Sequence, residues 1–259
     1  MGGEIYLPGF EVAWTLGRQL GLQVVAHIVG SFGMGPTFDA LAASNQFGPD
    51  NLFIHMTGMS DMSWQKVKDA GAGVSLAVPI EMNMRHGMPP ILKTLSLGIQ
   101  PSLSVDVECT LTADMFTQMR TAMALQRVFV NQMALEQNNP PSLPELLTTR
   151  DVLRFATMEG ARDLRLDRKT GSLTPGKEAD IIVLNAEAIN VTPLNVVPGA
   201  VVSLMERSNV ETVICAGKLR KWKGRLLDFD IRRLRRELEA SRDYVFNAAG
   251  IAQDLYREN

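Results

Sequence analysis

Cysteine is scarce in this chain: only Cys109 and Cys215 occur in 259 residues, far apart and outside any C-x-x-C spacing. Both read as reduced thiols of a cytoplasmic protein, with no disulfide expected. No sign of charge dominates either. Twenty-six basic against 28 acidic residues leave a net charge of −2, so neither a nucleic acid nor an anionic membrane is an expected partner. No apolar run approaches the length of a membrane span, and the first residues lack the basic-then-apolar pattern of a signal peptide. Two catalytic signatures are also missing. G-x-S-x-G occurs nowhere, which removes the nucleophile elbow, and "GSFGMG" (30–35) lacks the G-x-G-x-x-G spacing of a dinucleotide loop.

What is present is a core-forming chain, 46% apolar and 21% charged, with 14 methionines that read as core filler. Its first part repeats a helical segment followed by an apolar strand. "FEVAWTLGRQLGL" (10–22) carries Phe10, Ala13, Trp14 and Leu20 on one helical face and runs into the β-branched strand 22–30. A second strand at 52–58 precedes the helix "SDMSWQKVKDAG" (60–71), with Ser60 or Asp61 as N-cap and Gly71 as its stop. A third strand at 73–80 leads to a helix at 89–98. A fourth, "PSLSVDV" (101–107), leads to a long amphipathic helix within 112–137. Near-continuous apolar strands alternating with helices imply parallel strands covered on the outside. Either an open doubly wound sheet or a (β/α) barrel satisfies that pattern.

Beyond the proline-rich "NNPPSLP" (138–144), Thr148 and Asp151 form a capping-box signature, with Asp in place of Glu, at the head of another helix. The character then changes. Turn residues Gly171, Pro175 and Gly176 lead into a strand at 179–184, and 210–227 reads as a hairpin around Ala216–Gly217. The segment 229–250 is a charged amphipathic helix whose basic cluster Arg232, Arg233, Arg235 and Arg236 reads as a solvated face. The division expected is 1–168 for the strand–helix repeats, 169–228 for a small β element and 229–259 for the terminal helix.

Three polar residues stand at corresponding places in these strands: His27 in "VVAHIVG", His55 in "LFIHMTG" and Asp106 in "SLSVDVE". Each lies toward the C-terminal end of an expected parallel strand, the end at which a (β/α)₈ barrel builds its active site. Two of the chain's three histidines at equivalent strand ends, with a carboxylate that needs a cation or several donors, suit a divalent metal with nitrogen and oxygen ligands. Glu81, at the end of the third strand, and His86, just after it, are candidates to face the same cleft as substrate-binding groups.

The order of strand histidine, strand histidine and strand aspartate, followed by "DMFTQMR" and "GSLTPGKEADIIVLN", resembles the C-terminal part of the amidohydrolase superfamily. The resemblance is to its cytosine deaminase, S-adenosylhomocysteine deaminase and chlorohydrolase-like branch. It implies an α/β fold: strands five to eight of a metal-dependent hydrolase (β/α)₈ TIM barrel, plus the C-terminal part of a small β-sandwich. Carried over, His27 is the metal-binding histidine of strand five, and His55 is the strand-six histidine that orients water or substrate. Asp106 is the strand-eight aspartate that touches the metal and serves as base. The cofactor implied is a divalent metal, zinc first and iron second. The reaction implied is hydrolysis of a C–N bond, or deamination, of a small cyclic substrate.

Two departures stand out. Gly30 occupies the place of the glutamate that shuttles protons in deaminases, and no H-x-H pair, the family's strand-one source of two metal ligands, occurs in the sequence. The metal site is therefore expected to be incomplete in this chain and the isolated chain inactive, unless a homo-oligomer or a separate N-terminal segment completes the half barrel. The alternatives from other classes are a non-catalytic, self-associating half-barrel remnant and an open α/β binding protein.

Overall fold

The computed structural model describes residues 7–109, 111–136 and 142–252. Residues 138–141 of the expected linker and residues 253–259 of the expected terminal segment lie outside the described residues. Helix α1 (Leu7–Gln19) buries Trp14 and leads into β1 (Val24–Val29). Strand β1 is followed by a short 3₁₀ turn and α2 (Gly35–Ala43), then β2 (Asn51–Thr57) and α3 (Asp61–Ala70). Ser60 caps α3 by accepting from the Ser63 amide at 3.2 Å, and Gly71 stops it in the left-handed conformation at φ 66°.

Strand β3 is shorter than expected, Gly73–Leu76, because Pro79 starts helix α4 (Val78–Asn83) two residues later. Glu81 therefore stands on a helix and not at a strand end. Helix α5 (Ile91–Ser96) leads to β4, which is also cut short. The ladder covers only Ser102–Leu103, with one more bond from the Ser104 amide to the Leu76 carbonyl at 2.9 Å, and Asp106 lies beyond it at φ 63°. The pairing ends before the chain reaches Asp106, so the apolar look of 103–107 overstated the strand.

The four strands are parallel and lie in sequence order β1-β2-β3-β4, without the order reversal that defines a doubly wound sheet. Their outer face is packed: Ala26 and Ile28 of β1 and Phe53 of β2 sit in one core with Trp14, Phe38, Trp64 and Val67. On the opposite face of β1, Val25 is 50% exposed and His27 is exposed as well.

Helix α6 (Met115–Glu136) starts where the Asp114 carboxylate accepts from the Thr117 amide at 2.8 Å. The Thr148–Asp151 capping box forms as expected and opens α7 (Thr149–Arg154). A wide π turn at Phe155–Glu159 joins α7 to α8 (Gly160–Asp163) and buries Glu159 between Arg154 and Arg162, each at 2.5 Å. The chain then forms a second sheet of four antiparallel strands, β5 (Ile181–Leu184), β6 (Val210–Cys215), β7 (Lys218–Trp222) and β8 (Arg225–Leu226). Between β5 and β6, helix α9 (Val197–Ser203) packs back toward α6, where Arg120 donates to the carbonyls of Val202 at 3.1 Å and Met205 at 2.8 Å. The last described helix is α10 (Ile231–Ala249). Among the described residues no helix is long and apolar enough to cross a membrane. Cys109 and Cys215 are both exposed and unpaired.

Candidate metal centre at the strand ends

Regular pleating turns neighbouring residues of a strand to opposite faces. His27 pairs in register with Ile54 of β2, so His55, one residue on, would point away from it. Two local irregularities undo that alternation. The β1–β2 register shifts between Ile28 and Val29, and His55 and Met56 both adopt left-handed backbone, at φ 73° and 56°. Bulges of this kind re-aim side chains at strand ends. His55 Nε2 thereby comes to 3.2 Å from His27 Nδ1 and 3.9 Å from Asp106 Oδ2. The three candidate ligand atoms all lie within 4.8 Å of one another. Asp106 is a third left-handed residue at this spot. Non-glycine residues in that region cost of order 1 kcal/mol or more each, so the cluster is assembled against local backbone preference.

Burial differs sharply inside the cluster. His55 is 1% exposed, whereas the Asp106 backbone is open and its side chain retains 15% of its accessibility. His27 lies on the open side. Burial, and then the neighbouring His55, hold its imidazole below the usual histidine range.

Glu81 is fully buried and contacts the cluster through His55. Its Oε1 accepts from the Ala77 amide at 2.8 Å and lies 3.1 Å from His55 Nδ1. With Glu81 as a carboxylate accepting at Oε1 from the amide, His55 Nδ1 donates to it, and in that tautomer the Nε2 lone pair faces His27 and Asp106. Burial raises the Glu81 carboxyl above its ordinary range, and the hydrogen bonds from His55 and Ala77 oppose that shift. Its second oxygen, Oε2, has no hydrogen-bond partner.

His86 packs behind His55, with ring centroids 4.8 Å apart and edge-on, and its other side meets Phe32 at 5.2 Å. Burial, then His55, lower its pKa, and its Nδ1 is buried without a partner. The Thr57 hydroxyl fixes the loop by donating to the His86 carbonyl at 2.6 Å. Thr57 and Phe32 escaped the sequence reading; the only signal either gave was proximity to His55 or Gly30 along the chain.

Gly30 has a structural explanation. A Cβ there would lie 2.6 Å from the Thr57 carbonyl oxygen and 3.1 Å from Gly58 Cα, both backbone atoms. No side chain fits at this position without moving the β2 end, so no glutamate can stand there in this backbone.

The donor set, two imidazoles and a carboxylate with converging lone pairs, fits a divalent metal of borderline hardness. His55 is oriented by a buried carboxylate on its far nitrogen, the arrangement that steadies metal-ligating histidines.

Comparison with known proteins places this geometry in context. The model of the amidohydrolase family matches residues 37–220, more than half the chain. A 5′-deoxyadenosine deaminase of Methanothermobacter thermautotrophicus is 31% identical over 196 residues, covering 75% of this chain and 43% of the relative. A 5-methylthioadenosine/S-adenosylhomocysteine deaminase of Desulfitobacterium hafniense is 31% identical over 175 residues, covering 67% and 36%. Among solved structures, an adenosine deaminase from Xanthomonas campestris with bound zinc superimposes with a TM-score of 0.79 at 22% identity, covering 92% of this chain and 54% of that one. The chain thus spans less than half the length of the curated relatives it matches.

Proposed function

We propose that this chain, which belongs to the amidohydrolase family, supplies one side of a divalent-metal centre for hydrolytic deamination of a small cyclic substrate. The observation that carries the reading is the meeting of His27, His55 and Asp106 within 4.8 Å at the C-terminal ends of parallel strands. His27, His55 and Asp106 would hold the metal, zinc by preference. When bound, such a metal supplies a Lewis acid that brings the ionisation of water toward neutral pH. The Asp106 carboxylate accepts the proton from the attacking water as its oxygen adds to the carbon bearing the amine. The proton passes from Asp106 to the amino nitrogen, and the C–N bond breaks to release ammonia. His55, held by Glu81 in the Nδ1–H form, presents Nε2 to the reacting centre. His86 keeps His55 upright by packing against its face. The deaminase names of the relatives favour an adenosine-like nucleoside as the substrate.

The same reading takes the parallel sheet as half of an eight-stranded barrel. Strands β1 and β4 each pair on one side only among the described residues. Val12 and Leu16 on α1, and Leu20 just beyond it, are large apolar residues left exposed. In the antiparallel sheet, Val183, Leu219 and Trp222 are exposed, as expected of one layer of a sandwich whose second layer comes from elsewhere. On this view residues 1–168 are the partial barrel, 169–228 the sandwich element and 229–259 the terminal helix.

The test is ammonia release from 5′-deoxyadenosine by the zinc-loaded chain, alone and mixed with a separately expressed N-terminal segment that supplies an H-x-H strand. Background rates alone, turnover in the mixture and loss of that turnover on Asp106→Ala are the expected results. Turnover by the chain alone would remove the half-site claim. A metal-loaded mixture without turnover would remove the catalytic one.

A further inference from the structure

Helix α10 has no part in the site, and no residue of it is buried. A free helix of 19 residues has little to hold it beyond pairs along its own surface, such as Arg233 to Glu237 at 2.7 Å. Much of its apolar surface nevertheless follows one order, with Tyr244 and Phe246 outside it. Ile231, Leu238 and Val245 recur every seven residues, and Leu234, Ser241 and Ala248 stand three places after each. These are the a and d positions of a heptad, with β-branched residues at two of the three a places, the pattern that favours two strands. Leu238 is 63% exposed and Val245 56%, so the seam is bare in the single chain.

The flanks of this seam are sorted by charge. Glu237 takes a g position, and Arg235 and Arg242 take e positions, while Asp230 precedes the helix as its N-cap and accepts from the Arg233 amide at 2.9 Å. In a parallel pair, each g residue faces the e residue of the next heptad across the seam. Glu237 then meets Arg242 of the partner subunit on both sides of the two-fold axis. An antiparallel pair would set arginine against arginine and acid against acid. The remaining arginines, Arg232, Arg233 and Arg236, fall at b, c and f, away from the seam.

We propose that α10 pairs with the same helix of a second copy of this chain as a parallel, in-register two-stranded coiled coil. The occupant is selected by self-complementary charge, and the proposal does not depend on the catalytic reading. With Ser241 and Ala248 at two of the three d places, the association is modest and sensitive to salt.

Sedimentation equilibrium of the whole chain tests it, with circular dichroism confirming that each variant keeps its fold. Glu237→Lys and Arg242→Glu each place like charges across the seam twice, and each is expected to weaken dimerisation by about tenfold. An equimolar mixture of the two restores opposite charges at both contacts and recovers the native affinity. Orientation is read with Leu234→Cys in a background of Cys109→Ser and Cys215→Ser: only the parallel register brings the two introduced thiols together into an interchain disulfide. A chain that stays monomeric at every concentration overturns the proposal. So does a dimer indifferent to both charge substitutions, or a mixture that associates no better than its components.

Discussion

At the N-terminal ends of the parallel strands, the Trp14 indole donates to Asn51 Oδ1 at 3.1 Å, and the Gly48 amide donates to the same oxygen at 2.9 Å. At the C-terminal ends, three residues sit in left-handed backbone and two buried polar atoms, Glu81 Oε2 and His86 Nδ1, lack partners. The first end builds its strands in ordinary backbone, although Asn51 Nδ2 and Asp163 Oδ2 are buried there without partners. The other gives up backbone comfort at His55, Met56 and Asp106 to bring two imidazoles and a carboxylate together. Parallel α/β proteins divide labour in this way, with stability at one end of the strands and chemistry at the other.

The largest expected effect separates the two ends directly. Phe53 is fully buried and packs against Trp14, Phe38 and Phe47. Phe53→Ala should cost about 3–5 kcal/mol in denaturant unfolding. Asp106→Gly removes the carboxylate and the left-handed strain together. It should leave stability within about 0.5 kcal/mol of the native chain while abolishing metal binding. A strongly destabilised Asp106→Gly protein would mean that Asp106 holds the fold together.

A carboxylate at the stability end sharpens the comparison. Asp163, beside Ser102 and Gly73 at the strand starts, has a buried Oδ2 with no partner, and burial pushes its pKa up to about 6. Its folded-state pKa exceeds the unfolded value, so its favourable contribution is complete below about pH 4 and is lost as pH rises through 6. Asp163→Asn should therefore stabilise the chain by on the order of 2 kcal/mol at pH 7.5 and have little effect at pH 4. Equal effects at both pH values would show that Asp163 ionises freely in the folded chain.

A smaller effect concerns the contact behind the site. Glu81→Ala removes the acceptor that fixes the His55 ring, and metal affinity should drop about 10–100-fold. Glu81→Gln keeps an acceptor for His55 Nδ1 and Ala77 and should lose less. Equal losses from the two substitutions would point to the charge of Glu81 and not to its hydrogen bond.

Much of this was legible from residue order. The alternation of apolar strands and helices, the Ser60 and Thr148 caps and the hairpin at Ala216–Gly217 followed from local chemistry and formed as expected. His27 and His55 stood out because histidine is rare here and both sat late in apolar strands. The strand ends were less legible, since a left-handed Asp106 leaves no mark on the pattern "SLSVDV". Helix α2 was missed because its glycine- and proline-rich start reads as a loop, and α9 was missed behind Pro198–Gly199. The contact of Glu81 with His55 depends on a helix begun by Pro79, a tertiary consequence that no spacing rule conveys.

The central claim is that His27, His55 and Asp106 form one metal centre. With only three histidines in the chain, long-range ¹H–¹⁵N spectra of the imidazoles during zinc titration test it most directly. The prediction is an Nδ1–H form of His55 before zinc, joint shifts of His27 and His55 saturating at one equivalent, and loss of both shifts in Asp106→Gly. Zinc shifts at one histidine without the other, or shifts unchanged in Asp106→Gly, would contradict it.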